Sequence, residues 1–377
     1  MRREPLNAVF LVRDDFHEKF GGDTFQIQNY INNTRDIAFK ILTLAEFRRN
    51  KEKFDAYIIT NIDRSFEVIE FHNALKSNFL LERTFVLTIH HDFRVVEKFN
   101  TRRIQRKTGL SVRISPLYIE KFKAIYRSIR HGRYLLESLK HLFFINYQKN
   151  IRQLIKNCRG IICIANGELN SILRDFAIEI TPNHVIIRNG INKSYKTSDS
   201  DRHIDILVCG RIEERKNQIG IIEACRKLNY NFFFIGNINT NNNGYGREFL
   251  KKISSLNNFK YIGSCSPEEI HAYYQQSKCH LSASYFEVSS LVDLESYYSG
   301  CTVISSENGY SNEILNAPGL YTVDPFNLED IENKVKLALH SYSITGPFPR
   351  EAEELTWEHA GQRLNDWLAT QISNINS

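Results

Sequence analysis

Short apolar runs alternate with helix-length amphipathic stretches along the chain. Residues 7–12 (Asn-Ala-Val-Phe-Leu-Val) open the series. A polar loop follows, ending in Gly21-Gly22-Asp23-Thr24, and then a helical pattern with Phe25, Ile27 and Ile31 among polar residues. Further apolar runs at 37–44, 56–60 and 85–89 have helix-like stretches between them. A long basic helical region from about Pro116 to Asn157 precedes runs at 160–165 and 185–187. This is βαβ alternation, which predicts a parallel sheet covered on both faces.

Residues 189–203 are polar and turn-rich and read as a linker. The alternation then restarts. Strands are expected at 204–209, 232–236, 261–262, 279–282 and 302–305, with helices at 218–228, 247–256, 267–276, 289–298 and 331–339. The expected fold is α/β, with two doubly wound, Rossmann-like domains of residues 1–190 and 191–355 and a cleft between them. Ligands in such sheets sit outside the carboxyl ends of the strands.

Composition agrees with a globular protein: 42% of the 377 residues are hydrophobic and 24% charged. No run approaches the roughly 18 apolar residues of a spanning helix. The basic opening Met1-Arg2-Arg3-Glu4-Pro5 is not followed by a small-residue cleavage site, so no signal peptide is read there. Seven cysteines, an odd number without a C-x-x-C pair, favour free thiols in a reducing compartment over a disulfide framework. The expected location is cytoplasmic. Charge changes the picture more. The net +6 is uneven, because residues 83–159 hold eighteen Lys and Arg against four Asp and Glu. Such a block serves a polyanion or an anionic surface, or is a solvated helical face.

Two groups of residues carry candidate chemistry. Gly210-Arg211 closes the strand 204–209, and Lys216-Asn217 follows in the next loop. Glycine lets the backbone turn sharply, and two cations near a helix start can meet a diphosphate, bound or departing. Alone, basic residues after a strand are usually solvated. The second group is Ser284-Tyr-Phe-Glu287, then Glu295 after seven residues, then Gly300-Cys-Thr-Val303. Glu287 falls in a loop after a strand and Glu295 about two helical turns on, so both can accept hydrogen bonds from one polyhydroxyl ligand. Such a site rejects ligands without those hydroxyls. By spacing alone, two unrelated glutamates explain the pair better.

The order of these groups, each after a strand of one domain, resembles the retaining glycosyltransferases of family 4, which have the GT-B fold. The matching stretches are Val208-Cys-Gly-Arg-Ile212 with Lys216-Asn217-Gln218, Phe234-Ile-Gly236, Tyr261-Ile-Gly263, Ser284-Tyr-Phe-Glu287, Leu294-Glu295, Gly300-Cys-Thr-Val-Ile304 and Asn312-Glu313. Outside that domain Ile187-Arg-Asn-Gly-Ile191 is similar to the family's domain junction, and Gly21-Gly22 to its first glycine loop. Thr356-Trp357-Glu358 resembles the start of a final helix, here 356–377, that returns to the N-terminal domain. The resemblance implies an acceptor-binding first domain and a donor-binding second one. Arg211 and Lys216 would hold the donor diphosphate, and Gly210, Ser290 and Leu291 would also line the donor site. Glu287 would contact the sugar hydroxyls and Glu295 the ribose. Gly22 would bring backbone amides close to the diphosphate and the acceptor, with Gly21 also in the donor site, and His90 or His91 would lie near the reacting sugar. The chain departs from the family at Val288-Ser289-Ser290, where Gly-Phe-Gly is common, at Asn217, where Gly is, and at Ala283, where Pro is.

The implied function is retaining transfer of a hexose-type sugar from a nucleotide-diphosphate donor to a cell-envelope or surface glycan acceptor, polysaccharide or lipid-linked. No metal or other cofactor is expected: Asp199-Ser-Asp201 spells D-x-D but lies in the linker, and no His/Cys cluster has ligand spacing. Asp14-Asp15 reads as a helix start or solvated pair, and 237–243 as an exposed loop. His90, at a strand end, is either a satisfied core histidine or a cleft residue. Within the basic region, 126–150 interleaves Arg and Lys with Tyr134, Leu139, Phe143 and Phe144. That suits an amphipathic helix on an anionic membrane surface, peripheral at its inner face, and no nucleic-acid module is legible. The alternatives are a non-catalytic glycosyltransferase-like subunit, or a sugar phosphorylase or epimerase on the same fold.

Overall fold

The computed structural model describes residues 6–19, 21–192, 201–238, 244–315, 318–345 and 355–376. Residues 1–5, Asp199 and Ser200, and 239–243 of the loop expected at 237–243 lie outside them. The chain divides into two compact units, Met1–Gly190 with Trp357–Ser377, and Ile191–Thr356.

The first unit is built on six parallel strands, β1 (Leu6–Val12), β2 (Ile37–Thr43), β3 (Ala56–Thr60), β4 (Thr84–Leu87), β5 (Gly160–Cys163) and β6 (His184–Ile186). Their order is β2-β1-β3-β4-β5-β6. Continuous apolar sequence is what a strand covered on both faces requires, and β3, β4 and β5 are buried at every position. Helix Trp357–Asn376 completes this unit. Trp357 meets the rings of Phe25 and Tyr30 edge-on, with centroids 5.6 and 6.2 Å away. Gly361 allows the close approach, since a Cβ there would lie 2.5 Å from the Asn33 carbonyl oxygen.

The basic stretch expected as one helical region from Pro116 is three helices, Pro116–His131, Leu135–Phe144 and Tyr147–Asn157. The first stops because Gly132 takes a left-handed conformation (φ +65°), and Tyr134 follows at φ +59°. The third starts where the Asn146 side chain accepts from the Lys149 amide. The first two form a hairpin joined by Ser128 and Ser138 hydroxyls 2.6 Å apart and by Lys121 Nζ donating to the Leu142 carbonyl at 3.2 Å. His141 Nε2, 2.8 Å from Glu70 Oε1, moors that hairpin to helix Ser65–Ser77.

The second unit has its own parallel sheet of β7 (Ile204–Cys209), β8 (Phe232–Ile235), β9 (Phe259–Gly263), β10 (Ser277–Ser282), β11 (Thr302–Ser306) and β12 (Leu320–Val323), in the order β12-β11-β10-β7-β8-β9. The direction of strand succession reverses between β7 and β10, and in the first sheet between β1 and β3. Each reversal opens a crevice at the carboxyl edge of its sheet. The seven cysteines are free, five of them buried.

Candidate active site

The switch point of the second sheet gathers the sequence-predicted donor residues. Gly210 leaves β7 at φ +144°, and Gly236 leaves β8 at φ +152°. A Cβ on Gly236 would lie 2.0 Å from the Gly210 carbonyl oxygen, so only glycine fits. The Lys216 side chain runs back across Gly210, and its Nζ donates to Glu287 Oε1. Strand order makes this contact: β7 and β10 are neighbours, so the loops after them meet although Lys216 and Glu287 are far apart in sequence.

Arg215, which the sequence reading missed, is the second partner. Its Nη1 sits 2.8 Å from Glu287 Oε2, and its Nη2 donates to Glu213 Oε1 at 3.0 Å. The Tyr285 amide donates to the Arg215 carbonyl (2.8 Å), tying the two loops together. Burial alone would raise the pKa of Glu287, but Arg215 and Lys216 overcome it and hold the carboxyl well below the usual carboxylate range. The loop after β11 braces Glu287 from behind. The Glu287 amide donates to the Asn308 carbonyl (3.0 Å), and a Cβ on Gly309 would be 3.1 Å from Glu287 Cβ. Arg211 is 62% exposed and pairs with Glu213 at 3.6 Å, so its guanidinium faces solvent instead of being used inside the fold.

Glu295 lies on helix Leu291–Tyr298, which starts directly after Ser290. The buried Tyr274 hydroxyl donates to Glu295 Oε2 at 3.2 Å. Burial pushes the Glu295 carboxyl up to about 7, with Tyr274 opposing. The hydroxyl oxygens of Ser284, Ser289 and Ser290 are buried and have no hydrogen-bond partner among the described residues. Ser289 and Ser290 lie directly before a helix whose first residue is Leu291, a position that favours an anion. Asn217 occupies a left-handed position at φ +59°, which asparagine tolerates, and its Nδ2 donates to the Pro325 carbonyl at 3.0 Å.

In the first unit, Gly21 is the N-cap of helix Gly22–Asn33, and a Cβ on it would lie 2.9 Å from Asp23 Oδ1. His90 and His91 part company. His90 is fully buried, with Nδ1 2.7 Å from Asp63 Oδ1 and Nε2 3.1 Å from Asp175 Oδ2. Burial would lower its pKa, but Asp63 and Asp175 push it up to about 9. Both ring nitrogens of His90 are engaged inside the fold, by Asp63 and Asp175. His91 shares Asp63 through Nδ1 (2.7 Å) and keeps a quarter of its side chain exposed. Ile89, at φ +43°, holds the pair in a strained turn beyond β4. Asp15 is not a solvated residue. It is buried and pairs with Arg13, Lys19 and Arg64 at 2.7–2.8 Å.

Comparison with known proteins follows this division. Residues 192–353 match the family model described as glycosyl transferases group 1. An uncharacterized glycosyltransferase of Methanocaldococcus jannaschii is 22% identical over 321 residues, which is 81% of this chain and 80% of that one. Among solved structures, a sucrose-phosphate synthase from Thermosynechococcus elongatus superposes with a TM-score of 0.74 at 12% identity, covering 98% of this chain and all of that one. The Anabaena protein HepE, crystallised with UDP, gives 0.55 at 14% identity, covering 98% of each. The structural likenesses show the GT-B fold. With the group 1 domain in the second unit, they support a GT-B glycosyltransferase.

Proposed function

We propose that this chain is a retaining glycosyltransferase that takes its sugar from a nucleotide-diphosphate donor. One observation carries the reading: Lys216, Arg215, Glu287, Glu295 and unpartnered serine hydroxyls gather at the switch point of one sheet. A nucleotide sugar offers what this set lacks. Its diphosphate suits Arg211, Lys216 and the helix start at Ser290 and Leu291. Its ribose hydroxyls suit Glu295, and the sugar hydroxyls suit Glu287. The UDP held by the Anabaena relative agrees with such a donor.

Transfer then proceeds by same-face displacement. The bond from the anomeric carbon to the diphosphate breaks as the bond to the acceptor oxygen forms, and the acceptor proton passes to the departing diphosphate. Glu287 orients the sugar and is a poor nucleophile, because both its oxygens are engaged by cations. Retaining glycosidases instead need a free carboxylate about 5 Å from an acid/base partner. His91 is proposed to lie beside the reacting sugar, with Gly21 and Gly22 presenting backbone amides. Side-chain cations meet the diphosphate charge, so we propose that no metal is needed and that EDTA leaves turnover unchanged.

The acceptor is proposed to be a cell-envelope or surface glycan reached at an anionic membrane surface. Among the described residues, eleven of the seventeen exposed large hydrophobic side chains lie between Leu110 and Phe144. Tyr118, Phe122, Tyr126 and Ile129 recur along one helix at helical spacing, beside Lys123 and Arg130. No helix among the described residues is long and apolar enough to cross a membrane. Thermal-shift screening against nucleotide sugars tests the donor assignment. One of them raises the melting temperature by mass action, whereas a flat response across the panel contradicts it.

A further inference from the structure

Glu287 holds two cations, and the fold ties them down unequally. Arg215 is fixed from several sides. Besides meeting Glu287, its guanidinium donates to Glu213 Oε1 at 3.0 Å and to the Phe286 carbonyl at 3.2 Å, and it lies 5.7 Å from the centre of the Phe286 ring. Its own carbonyl accepts from the Tyr285 amide at 2.8 Å. Lys216 has a single mooring. Among the described residues its ammonium finds no acceptor but Glu287 Oε1, and the aliphatic stem that carries it lies across Gly210.

A nucleotide-sugar donor makes use of that difference. Its diphosphate recruits Lys216 while its sugar hydroxyls turn to Glu287. The ammonium that neutralises Oε1 is the one the diphosphate needs, and drawing it away frees Oε1 for a hydroxyl. A side chain as buried as Glu287, 11% exposed, keeps its charge only beside a cation. Arg215 Nη1, 2.8 Å from Oε2, is the cation that stays when Lys216 moves. Arg211 is no substitute, because its exposed guanidinium turns to Glu213.

We propose that Arg215 is a positioning residue that keeps Glu287 charged and oriented while Lys216 passes from Glu287 to the donor diphosphate. This rests on the transferase reading. Diphosphate capture and sugar orientation are then one event. The pair Lys216–Glu287 is exchanged for Lys216 with diphosphate, and Oε1 opens to a hydroxyl as the donor seats. Without Arg215, Lys216 is the last counter-ion of Glu287, and the diphosphate competes with a buried carboxylate for it. Leaving that carboxylate unpaired is unfavourable, and the penalty falls on donor binding. An arginine that only braced the two loops would create no such competition.

The test is a double-mutant cycle on nucleoside diphosphate affinity, read by calorimetric titration of the full chain with UDP, ADP, GDP and dTDP. The diphosphate that the parent chain binds most tightly is carried through Arg215→Met, Glu287→Gln and the double variant. Arg215→Met is expected to weaken it about tenfold. Glu287→Gln should change affinity less than about threefold in the parent chain, yet raise it about tenfold in the Arg215→Met background, where it releases Lys216. Equal effects of Glu287→Gln in both backgrounds, which a simple sum of charges gives, overturn the proposal, as does Arg215→Met binding like the parent chain. Should Arg215→Met fail to fold, Arg215→Gln, which keeps a donor for the Phe286 carbonyl, runs through the same cycle under the same criteria. No diphosphate binding by the parent chain overturns the donor reading and this proposal with it. Binding by the parent chain with an additive cycle overturns this proposal alone.

Discussion

Glu287→Gln is the substitution with the most to reveal. The wild-type carboxylate faces two cations, Lys216 Nζ on one oxygen and Arg215 Nη1 at 2.8 Å on the other. Glutamine keeps the shape but replaces one oxygen with an NH₂ group, which points a donor at a donor. It also leaves Arg215 and Lys216, 23% and 15% exposed, short of one negative charge. Breaking a buried ion pair costs about 3–5 kcal/mol, and partial exposure places this case near about 3 kcal/mol. For a unit of this size that lowers the melting temperature of the second unit by about 6–12 °C. Lys216, freed from Glu287, still meets the diphosphate, so nucleotide affinity should stay within several-fold. Turnover should fall at least about 100-fold, equivalent to about 2.7 kcal/mol of transition-state stabilisation. The assay pairs differential scanning calorimetry with single-turnover kinetics at 25 °C, where the variant is still folded. Turnover within twofold of wild type would refute the assigned role, as would a glycosyl ester trapped on Glu287.

Glu295 gives a pH signature. Its carboxyl is pushed up to about 7, and ribose hydroxyls favour the ionised form. Nucleotide-sugar affinity should therefore rise as pH increases from 6 to 8, with a proton released on binding near pH 7, and Glu295→Gln should abolish both. A flat affinity profile in the parent chain, read by titration in buffers of different ionisation enthalpy, contradicts this. The two histidines should separate cleanly. His90→Ala leaves Asp63 and Asp175 without their shared cation and should cost about 3–5 kcal/mol, whereas His91→Ala should lower turnover with stability changed by less than about 1 kcal/mol. His90 is raised from its ordinary value to about 9, so its ionic contribution is complete below pH 6.5 and lost as pH rises through 9. Thermal melts at pH 7 and 9.5 should show that decline. Gly236→Ala should cost more than about 3 kcal/mol, because its Cβ meets the Gly210 carbonyl oxygen at 2.0 Å, and a soluble variant with an unchanged melting temperature would refute it. Flotation with anionic liposomes should carry the chain upward at low salt, and Phe143→Ser/Phe144→Ser should prevent it; no flotation of the parent chain counts against the membrane surface.

The alternation of strands and helices was legible because strands covered on both faces must be continuously apolar. β12 escaped notice for the complementary reason: Leu320–Val323 is a sheet-edge strand, buried only at Val323. The break of the basic region at Gly132 and Tyr134 depends on backbone conformations that pattern alone does not select. Lys216, Glu287 and Glu295 stood out by order and spacing, but Arg215 did not. Four charged residues occupy 213–216, and only the fold decides which of them turns toward Glu287. The pair His90-His91 offered no sequence signal to divide it. Asp63 and Asp175, brought in from other elements, bury one ring and leave the other partly exposed.

The central claim is transfer of a sugar from a nucleotide donor with retained configuration. The most direct measurement is proton NMR of the product formed from a nucleotide sugar of known anomeric configuration, with release of nucleoside diphosphate followed in the same sample. The account predicts nucleoside diphosphate release that depends on acceptor, and a new glycosidic bond with the donor's anomeric configuration. An inverted product, or nucleotide release that is indifferent to acceptor, would contradict it.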